Sequence, residues 1–260
     1  MTAMKTNQTI APAYRQYADF IASVAADFDT AGTLVHDSRN QLRVVDAPDG
    51  SKWIVKRYKR PNIFQRAAFR VTHRSKATKA FQAAERLTQL GLATPETIAS
   101  IDCVNESGAL ESCYFISAYH DYKELYELLV GNRDLSDELI DETSLLLRSM
   151  HERGVMHGDL NIRNILVNPG EGTRLYLIDN NRMRFLGRPL GKKERIKNMV
   201  RLTHERPVMH ALVSRYATLM GWEAAPIVAA VERKLTRFER SRALRHRLKR
   251  LLPQSAHKLP

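Results

Sequence analysis

The chain of 260 residues carries 41 basic and 28 acidic side chains, which give a formal net charge of +13, and 43% of its residues are hydrophobic. This length exceeds one average domain and lets two units each bury a core. No stretch approaches the ~18 consecutive apolar residues of a membrane helix, and the first residues lack the apolar region of a signal peptide. We therefore exclude a membrane-spanning or secreted protein and expect a cytoplasmic one.

The first predicted elements are a helix over residues 13–28 and a β-hairpin with strands 42–45 and 52–58. In the second strand Lys56 follows an apolar run, and period-two alternation places its side chain on the same face as Ile54. Kinases use a strand lysine in such a setting to contact the nucleotide phosphates. Lys56 is therefore a candidate phosphate ligand, with a solvated surface lysine as the alternative.

A second helix is predicted between Ser75, as N-cap, and Gly91, as C′ residue, because apolar residues recur at helical spacing between them. Glu85 lies in this helix, and no other acidic residue occurs between residues 61 and 95. A kinase needs a helical glutamate to orient its phosphate-binding lysine. We therefore expect Glu85 to pair with Lys56. The alternative is a solvated pair with a basic residue one turn away.

The next predicted hairpin, with strands 97–104 and 112–119, places Cys103 and Cys113 at mirror positions about Gly108, where the two thiols could meet. Two cysteines without a CxxC motif or nearby histidines are nevertheless more typical of reduced, partly buried side chains in a cytoplasmic protein. The second strand is expected to lead into a hinge whose backbone receives adenine. Helices over residues 123–130 and 137–153 follow, the second with Ser136 as N-cap.

The most informative stretch is HGDLNIRNILVNPGEGTRLYLID, from His157 to Asp179. Asn164 begins an apolar run that predicts a short strand, residues 168–172 predict a turn, and a returning strand ends at Asp179. Asn164 and Asp179 are symmetric about the midpoint of this turn, so we expect them to lie side by side. Opposed residues on antiparallel strands have Cβ atoms about 4.5–5.5 Å apart, which lets one Mg²⁺ contact both side chains.

Asp159 precedes this hairpin and could orient an attacking hydroxyl. Kinases divide the chemistry in this way: one Asp accepts the substrate proton, while an Asn and another Asp hold Mg²⁺ on the nucleotide phosphates. The sequence therefore predicts Asp159 as catalytic base and Asn164 with Asp179 as metal ligands. The alternative is a set of polar turns in which each Asp caps backbone N–H groups. His157 is expected to hold the loop through hydrogen bonds.

The C-terminal region from residue 231 to residue 252 holds nine basic and two acidic residues, interleaved with leucines and a phenylalanine. Such a basic amphipathic helix suits an anionic lipid surface, where each Lys or Arg contributes about 1 kcal/mol. A solvated outer face on a docked helix is the alternative. Residues 56–79 form a second basic stretch. No recognition motif or aromatic stacking platform supports a nucleic-acid partner, so we expect none.

The motif His157-Gly158-Asp159-Leu160-Asn161-x-x-Asn164-Ile165-Leu166-Val167, together with Leu177-Ile178-Asp179, resembles the protein-kinase-like superfamily. Within it, three segments resemble the bacterial lipopolysaccharide core kinases, the Kdo/heptose kinase family: Val55-Lys56-Arg57-Tyr58, Ser75-Lys76-Ala77 and Arg195-Ile196-x-Asn198-Met199-x-Arg201-Leu202. The resemblance covers roughly residues 30–205.

The resemblance implies an α+β, two-lobed fold, with a small β-rich N-lobe over residues 1–118 and a mainly helical C-lobe over residues 119–260. It also implies that ATP and Mg²⁺ are used to phosphorylate a sugar hydroxyl of the lipopolysaccharide inner core. This reaction would take place at the cytoplasmic face of the inner membrane. No obligate protein partner is evident.

The sequence also departs from the wider kinase pattern. The phosphate-covering Gly-x-Gly-x-x-Gly loop is absent from residues 33–40, and Asn180-Asn181 replaces the Phe-Gly that follows the metal-binding Asp of protein kinases. A protein Ser/Thr kinase and a small-molecule phosphotransferase stay open as alternatives, although Asn161 and Asn180 weigh against the aminoglycoside and choline kinases. The last alternative is an inactive pseudokinase that binds lipid or nucleic acid.

Overall fold

The computed structural model describes residues 5–130, 135–168 and 174–251. The chain divides into two compact units. The first contains Met1–Leu128, His157–Asp159 and Arg163–Phe185, and the second contains Leu129–Met156, Leu160–Ile162 and Leu186–Pro260. The first unit is built on β-sheet and the second on helices, which confirms the predicted α+β class. The assignment of residues 1–118 and 119–260 to two lobes stays a prediction.

The first unit contains a six-stranded antiparallel sheet with the strand order β1-β5-β6-β4-β3-β2. Both predicted hairpins belong to it, as β3 with β4 and as β5 with β6. The edge strand β1 was not predicted, because its residues are polar and nearly all exposed. The strands are β1 Lys5–Ile10, β2 Thr33–Asp37, β3 Gln41–Asp46, β4 Lys52–Arg57, β5 Thr97–Val104 and β6 Leu110–Ala118.

One face of the sheet is covered by the N-terminal helical segment. A 3-10 helix over Pro12–Tyr17 continues into α1, Ala18–Ala26, close to the predicted bounds. Trp53 of β4 is buried under this segment, and the rings of Tyr14, Tyr17 and Phe20 contact it edge-on at centroid distances of 5.6–5.7 Å. Because Trp53 and Lys56 are three residues apart on one strand, burial of Trp53 turns Lys56 to the opposite face.

The opposite face packs against α2, Ile63–Thr72, and α3, Lys76–Gln89. The Ser75 side chain caps α3 by accepting a hydrogen bond from Thr78 N at 3.0 Å, and Gly91 takes the left-handed conformation just past its end, so both predicted helix signals are confirmed. The helix α2 was not predicted. Asn62 and Gln65 form a capping box that starts it.

The two cysteines are free and buried, as predicted. They do not meet, because Cys113 pairs with Asp102 and Cys103 pairs with Ser112 in the observed register. The register is shifted by one residue from the mirror arrangement expected about Gly108. A one-residue shift turns a side chain to the other face of the sheet, and the two thiols accordingly belong to different core clusters.

Further along the chain the structure contains β7 Lys123–Glu124, α4 Leu125–Val130, α5 Asp137–Glu152, β8 Val155–Met156, β9 Ile165–Asn168, β10 Arg174–Leu177 and β11 Arg184–Phe185. Short 3-10 helices occupy Ile162–Asn164 and Asn180–Arg182. Ser136 caps α5 as predicted, through a hydrogen bond from Leu139 N. The last helices are α6 Lys192–Met199, α7 Arg206–Leu219 and α8 Ala224–Leu251.

The helical unit is held by a buried polar network centred on Arg195. Its guanidinium donates to Glu152 at 3.0 Å and to the Tyr216 hydroxyl at 3.2 Å, and His151 contacts the same hydroxyl at 2.8 Å. Burial, helped by the Arg195 charge, lowers the pKa of His151 to about 3, so this histidine is neutral. Asn198 donates to the other His151 ring nitrogen. The Arg195 to Leu202 segment is therefore structural.

The basic helix α8 begins as a docked helix and ends exposed. Val231 and Leu235 are fully buried, whereas Leu244 and Leu248 are exposed. Within the described residues, no helix is both long and apolar enough to cross a membrane.

Candidate active site

The predicted catalytic hairpin exists, but its register differs by one residue from the prediction. Leu177 pairs with Ile165 and Leu175 pairs with Val167, so Asn164 lies opposite Ile178 and not opposite Asp179. The reason is burial: all four paired residues face the core, and only this register sets buried residues against each other. Most of the predicted turn, residues 169–172, lies outside the described residues.

Asp179 lies one residue beyond the hairpin, in a left-handed backbone conformation with φ 57° and ψ 48°. This conformation is uncommon for a residue with a side chain, although Asp and Asn tolerate it better than most. It ends the strand and starts the 3-10 helix over Asn180–Arg182. This turn, and not pairing between the two strands, sets the direction of the Asp179 carboxylate.

The Asp179 carboxylate contacts Lys56, which joins the two halves of the predicted site. Lys56 Nζ donates to Asp179 Oδ1 at 2.7 Å, and Asn181 Nδ2 donates to the same oxygen at 2.7 Å. Burial alone would raise the pKa of Asp179, but the charge and hydrogen bond of Lys56 outweigh it, so the pKa lies below its ordinary value. Asp179 is therefore an anion at neutral pH.

His157 holds the backbone just before Asp179, which is the loop-holding role predicted for it. The imidazole is fully buried, and its Nε2 lies 3.1 Å from the Ile178 carbonyl oxygen, to which it donates. Burial lowers the pKa of His157 despite the nearby carboxylates, which keeps the ring neutral. Among the nearby charges, that of Lys56 has the largest effect on the pKa of Asp179.

Gly158 lets two segments of the loop approach each other closely. It has φ 77°, and a Cβ at this position would overlap with the carbonyl oxygen of Arg182. Arg182 in turn donates from Nη1 to Asp159 Oδ2 at 3.0 Å. The predicted base is thus paired with an arginine that no sequence pattern distinguishes from the other basic residues.

Asn164 supports the same loop from the other end. Its Nδ2 donates to the Asp159 backbone carbonyl at 2.9 Å. This hydrogen bond fixes the amide, so that its Oδ1 is the atom left to act as a ligand. The structure therefore connects Asp159, Asn164, Asp179 and Lys56 through short contacts within one unit.

Three of these side chains line a cavity of about 560 Å³, and a cavity of this size is typical of small-molecule sites. Lys56, Asn164 and Asp179 line it together. Apolar side chains form opposing walls, from the six-stranded sheet on one side and from the hairpin on the other. They are Val35, Leu42, Ile54, Leu166 and Ile178. Apolar walls with a charged end suit a flat base attached to phosphates.

The expected pair between Glu85 and Lys56 is a prediction that the structure contradicts. Within the described residues these two side chains make no ion pair or hydrogen bond, and Glu85 is exposed on α3. The residue of α3 that lines the cavity beside Lys56 is Ala80. At 100° per residue, Glu85 points about 140° away from Ala80 around the helix. Being the sole acid in its segment did not place Glu85 on the correct face.

The Asn180-Asn181 pair, which departs from the kinase pattern, has structural partners. Asn180 is buried and donates to Thr94 Oγ1 at 3.0 Å, and Thr94 donates to the Leu177 carbonyl at 2.8 Å. Asn181 donates to Asp179. The two amides therefore fix the turn that follows the Asp179 carboxylate.

The donor set fits Mg²⁺ in the way that nucleotide enzymes bind it. Such sites supply one or two carboxylates, and the remaining ligands are water and the phosphates of the nucleotide. Asp179 Oδ2 and Asn164 Oδ1 are hard oxygen donors that face the same cavity as Lys56. No cluster of three or more His, Cys, Asp or Glu side chains occurs among the described residues, so a metal held by protein alone is not indicated there.

Comparison with known proteins agrees with this site. The model of the lipopolysaccharide kinase (Kdo/WaaP) family matches residues 33–219, which is more than half of the chain. No protein with a curated description matches the sequence.

Two solved structures are similar to this chain. A structure titled "WaaP in complex with acyl carrier protein" superposes with a TM-score of 0.59 at 18% identity, covering 89% of this chain and 98% of that chain. The Rio2 kinase from Chaetomium thermophilum, in an ADP/Mg²⁺-phosphoaspartate complex, gives a TM-score of 0.47 at 15% identity, covering 85% and 75%. The superposition on WaaP shows that the two chains share a fold. Since the family model covers most of the sequence, including every residue of the site, the chain belongs to the lipopolysaccharide kinase (Kdo/WaaP) family.

Proposed function

We propose that this ATP-dependent phosphotransferase phosphorylates a Kdo or heptose hydroxyl of the lipopolysaccharide inner core. The observation that carries the proposal is the 2.7 Å contact between Lys56 and Asp179 in a cavity that Asn164 also lines. Residues distant in sequence meet there in the arrangement that phosphoryl transfer requires. The family supplies the acceptor class, a sugar of the lipopolysaccharide core.

The proposed roles follow from the contacts. Lys56 leaves Asp179 in part to bind the phosphates of ATP, and Asn164 Oδ1 and the Asp179 carboxylate hold Mg²⁺. When bound, Mg²⁺ neutralises charge that develops on the phosphates. Asp159 accepts the proton of the sugar hydroxyl as its oxygen bonds to the γ-phosphorus and the bond to the β-phosphate oxygen breaks, which releases ADP. Glu85 has no role in this scheme.

The decisive experiment offers purified protein and MgATP a choice of acceptors, namely lipid A-core glycolipid or generic protein substrates, and locates the new phosphate by mass spectrometry. Phosphate on a core sugar supports the proposal, and phosphate found only on protein hydroxyls overturns it. Asp159→Asn should reduce turnover by about 10²–10⁴-fold, because a general base is lost. Glu85→Gln is the matched control with one carboxylate removed outside the cavity, and it should retain activity.

We also propose that α2 attaches the enzyme to the anionic membrane surface that carries its acceptor. Ile63, Phe64 and Val71 are 81–84% exposed; Ile63, Ala67 and Val71 follow the i, i+4, i+8 spacing of one helix face, and Phe64 lies three residues before Ala67 and seven before Val71, on the same side. Residues 56–79 contain nine basic side chains and no acid. Exposed apolar residues surrounded by cations are typical of helices that lie in the headgroup region of an anionic bilayer.

Sedimentation with vesicles tests this attachment. Wild-type protein should bind phosphatidylglycerol vesicles more tightly than neutral ones, and Phe64→Ser with Val71→Ser should weaken binding about 10-fold or more, because two apolar side chains no longer enter the lipid. Leu145→Ser, which removes an exposed leucine from α5, should leave binding unchanged. A carrier protein is the competing partner, since WaaP was solved in complex with acyl carrier protein. Binding to such a carrier without binding to vesicles would overturn the membrane proposal.

A further inference from the structure

A second cavity of about 540 Å³ lies between α3 and the segment that follows Asp179. It shares no lining residue with the cavity that holds Lys56. Four of the side chains that line it are cations, and no carboxylate is among the described residues that line it. The cations are Arg74, Lys79, Arg86 and Arg182.

The cavity reaches the proposed catalytic base through Arg182. One nitrogen of its guanidinium donates to Asp159 at 3.0 Å, while the side chain also lines the cavity. Gly158, directly before Asp159, allows the Arg182 backbone to pack against the catalytic loop. A group bound in this cavity would therefore lie one arginine away from the oxygen that receives the acceptor proton.

The other three cations have no anionic partner among the described residues. Arg74 donates to the neutral Gln82 at 2.6 Å, and Arg86 donates to the neutral Gln89 at 2.9 Å. The Lys79 side chain forms no hydrogen bond or ion pair within the described chain. Three unneutralised charges around one concave surface repel each other, and an anion relieves that repulsion.

Lys76, on the first turn of α3, lies within the electrostatic influence of Arg182. Its pKa is lowered, chiefly by burial and then by the charges of Arg39 and Arg182. The four cations that line the cavity give it a positive potential. It favours an oxyanion, because Arg side chains bind carboxylate and phosphate through two parallel hydrogen bonds.

We infer that this cavity binds an oxyanion of the acceptor, a carboxylate or a phosphate on the same glycolipid, while Asp159 contacts the hydroxyl to be phosphorylated. The inference rests on the proposed function for the identity of the acceptor. Anion binding in the cavity itself does not depend on that function. Lys79 and Arg86 are the specificity residues, and Arg182 positions the bound anion relative to Asp159.

Steady-state kinetics with Lys79→Gln/Arg86→Gln tests the inference. The acceptor KM should rise about 10-fold or more, since two charge-assisted hydrogen bonds are lost. The KM for ATP and the kcat should change less than about twofold, because neither residue lines the nucleotide cavity. Arg153→Gln is the matched control, since Arg153 is exposed and bonds Ser149 one turn away on the chain. An unchanged acceptor KM, or an equal rise in the control, overturns the inference.

A second readout separates the cavity from the proposed function. Inorganic sulfate should bind the wild-type protein in a calorimetric titration, should bind the double variant about 10-fold more weakly, and should compete with the acceptor but not with ATP. If no acceptor is phosphorylated at all, the proposed function fails, and loss of sulfate binding in the double variant still supports the cavity. Competition with ATP alone overturns the inference. Acceptors without their phosphates and acceptors with reduced carboxyl groups show which anion the cavity binds. The acceptor that lacks the recognised anion should bind weakly, and it should bind the wild-type protein and the double variant with equal affinity.

Discussion

The ion pair between Lys56 and Asp179 should be measurable as a coupling energy in the nucleotide-free protein. The side chains are 18% and 29% exposed, and the atoms are 2.7 Å apart. Exposed pairs contribute about 0–1 kcal/mol, whereas breaking a buried pair costs about 3–5 kcal/mol. This pair lies between these limits. We expect Lys56→Met and Asp179→Asn each to lower the free energy of unfolding by about 2 kcal/mol, with a coupling of about 1–2 kcal/mol.

The assay is urea unfolding of the wild type, the two single variants and the double variant, followed through the fluorescence of Trp53 in the same unit. The pair between Lys52 and Asp46 is a matched control on the same strand, at 2.9 Å but with side chains 58% and 82% exposed. Its double-mutant cycle should give at most about 0.5 kcal/mol. A Lys56–Asp179 coupling no larger than that of this exposed pair would refute the reasoning.

The same coupling should depend on pH with a defined sign. The folded-state pKa of Asp179 lies below that of the unfolded chain, about 3.9. The stabilisation is therefore fully present above the unfolded-state pKa and is lost as the pH falls through the folded-state pKa. Unfolding curves measured between pH 7 and pH 3 should show a coupling that is constant at first and shrinks in the acid range. Growth of the coupling toward low pH would contradict the assignment.

Three further outcomes are expected from single substitutions. Glu85→Gln should change kcat/KM for ATP by less than about twofold, whereas Lys56→Met should lower it about 10²-fold or more. Equal losses in the two variants would show that Glu85 acts in the site. His157→Phe should lower the free energy of unfolding by about 1–2 kcal/mol and raise the KM for MgATP, because the Ile178 carbonyl loses its buried donor. Gly158→Ala should destabilise by about 2 kcal/mol or more in thermal unfolding, since strain and overlap add, whereas Gly108→Ala, with φ 72° and open space, should cost about 1 kcal/mol.

Sequence signals that act over a few residues predicted the structure well. Ser75 and Ser136 cap the helices that they were expected to cap, and Gly91 ends one of them. These signals are reliable because cap and helix are adjacent in the chain. The strand with Lys56 was found for a related reason, since alternation along one strand decides which face a residue occupies.

Predictions that depended on an exact strand register or helix rotation were wrong by one residue or by part of a helical turn. These small errors placed side chains on the wrong face of a strand or helix. Both hairpins were assumed to be symmetric about their turns, yet buried side chains set the register, which moved Cys103 away from Cys113 and Asn164 away from Asp179. Glu85 lies on the expected helix but on its exposed side. Only the packing of the helix on the sheet determines that rotation.

Two elements lack a continuous buried apolar face of the kind that makes a strand or helix predictable from its sequence. The edge strand β1 has an almost entirely exposed, polar sequence, and α2 buries Phe69 but presents Ile63, Phe64 and Val71 to solvent. The arginine that contacts Asp159 was likewise one base among many. Its partner could be identified only after the segment following Asp179 had been placed beside the catalytic loop.

The left-handed backbone at Asp179 also constrains how this enzyme family can lose activity. Asn and Gly tolerate that conformation, and each is reached from an Asp codon by a single nucleotide change. Either replacement removes the carboxylate without demanding a new turn. If Asp179 holds Mg²⁺ as proposed, one nucleotide change therefore removes a metal ligand and keeps the turn, at a cost of about 2 kcal/mol from the lost pair with Lys56.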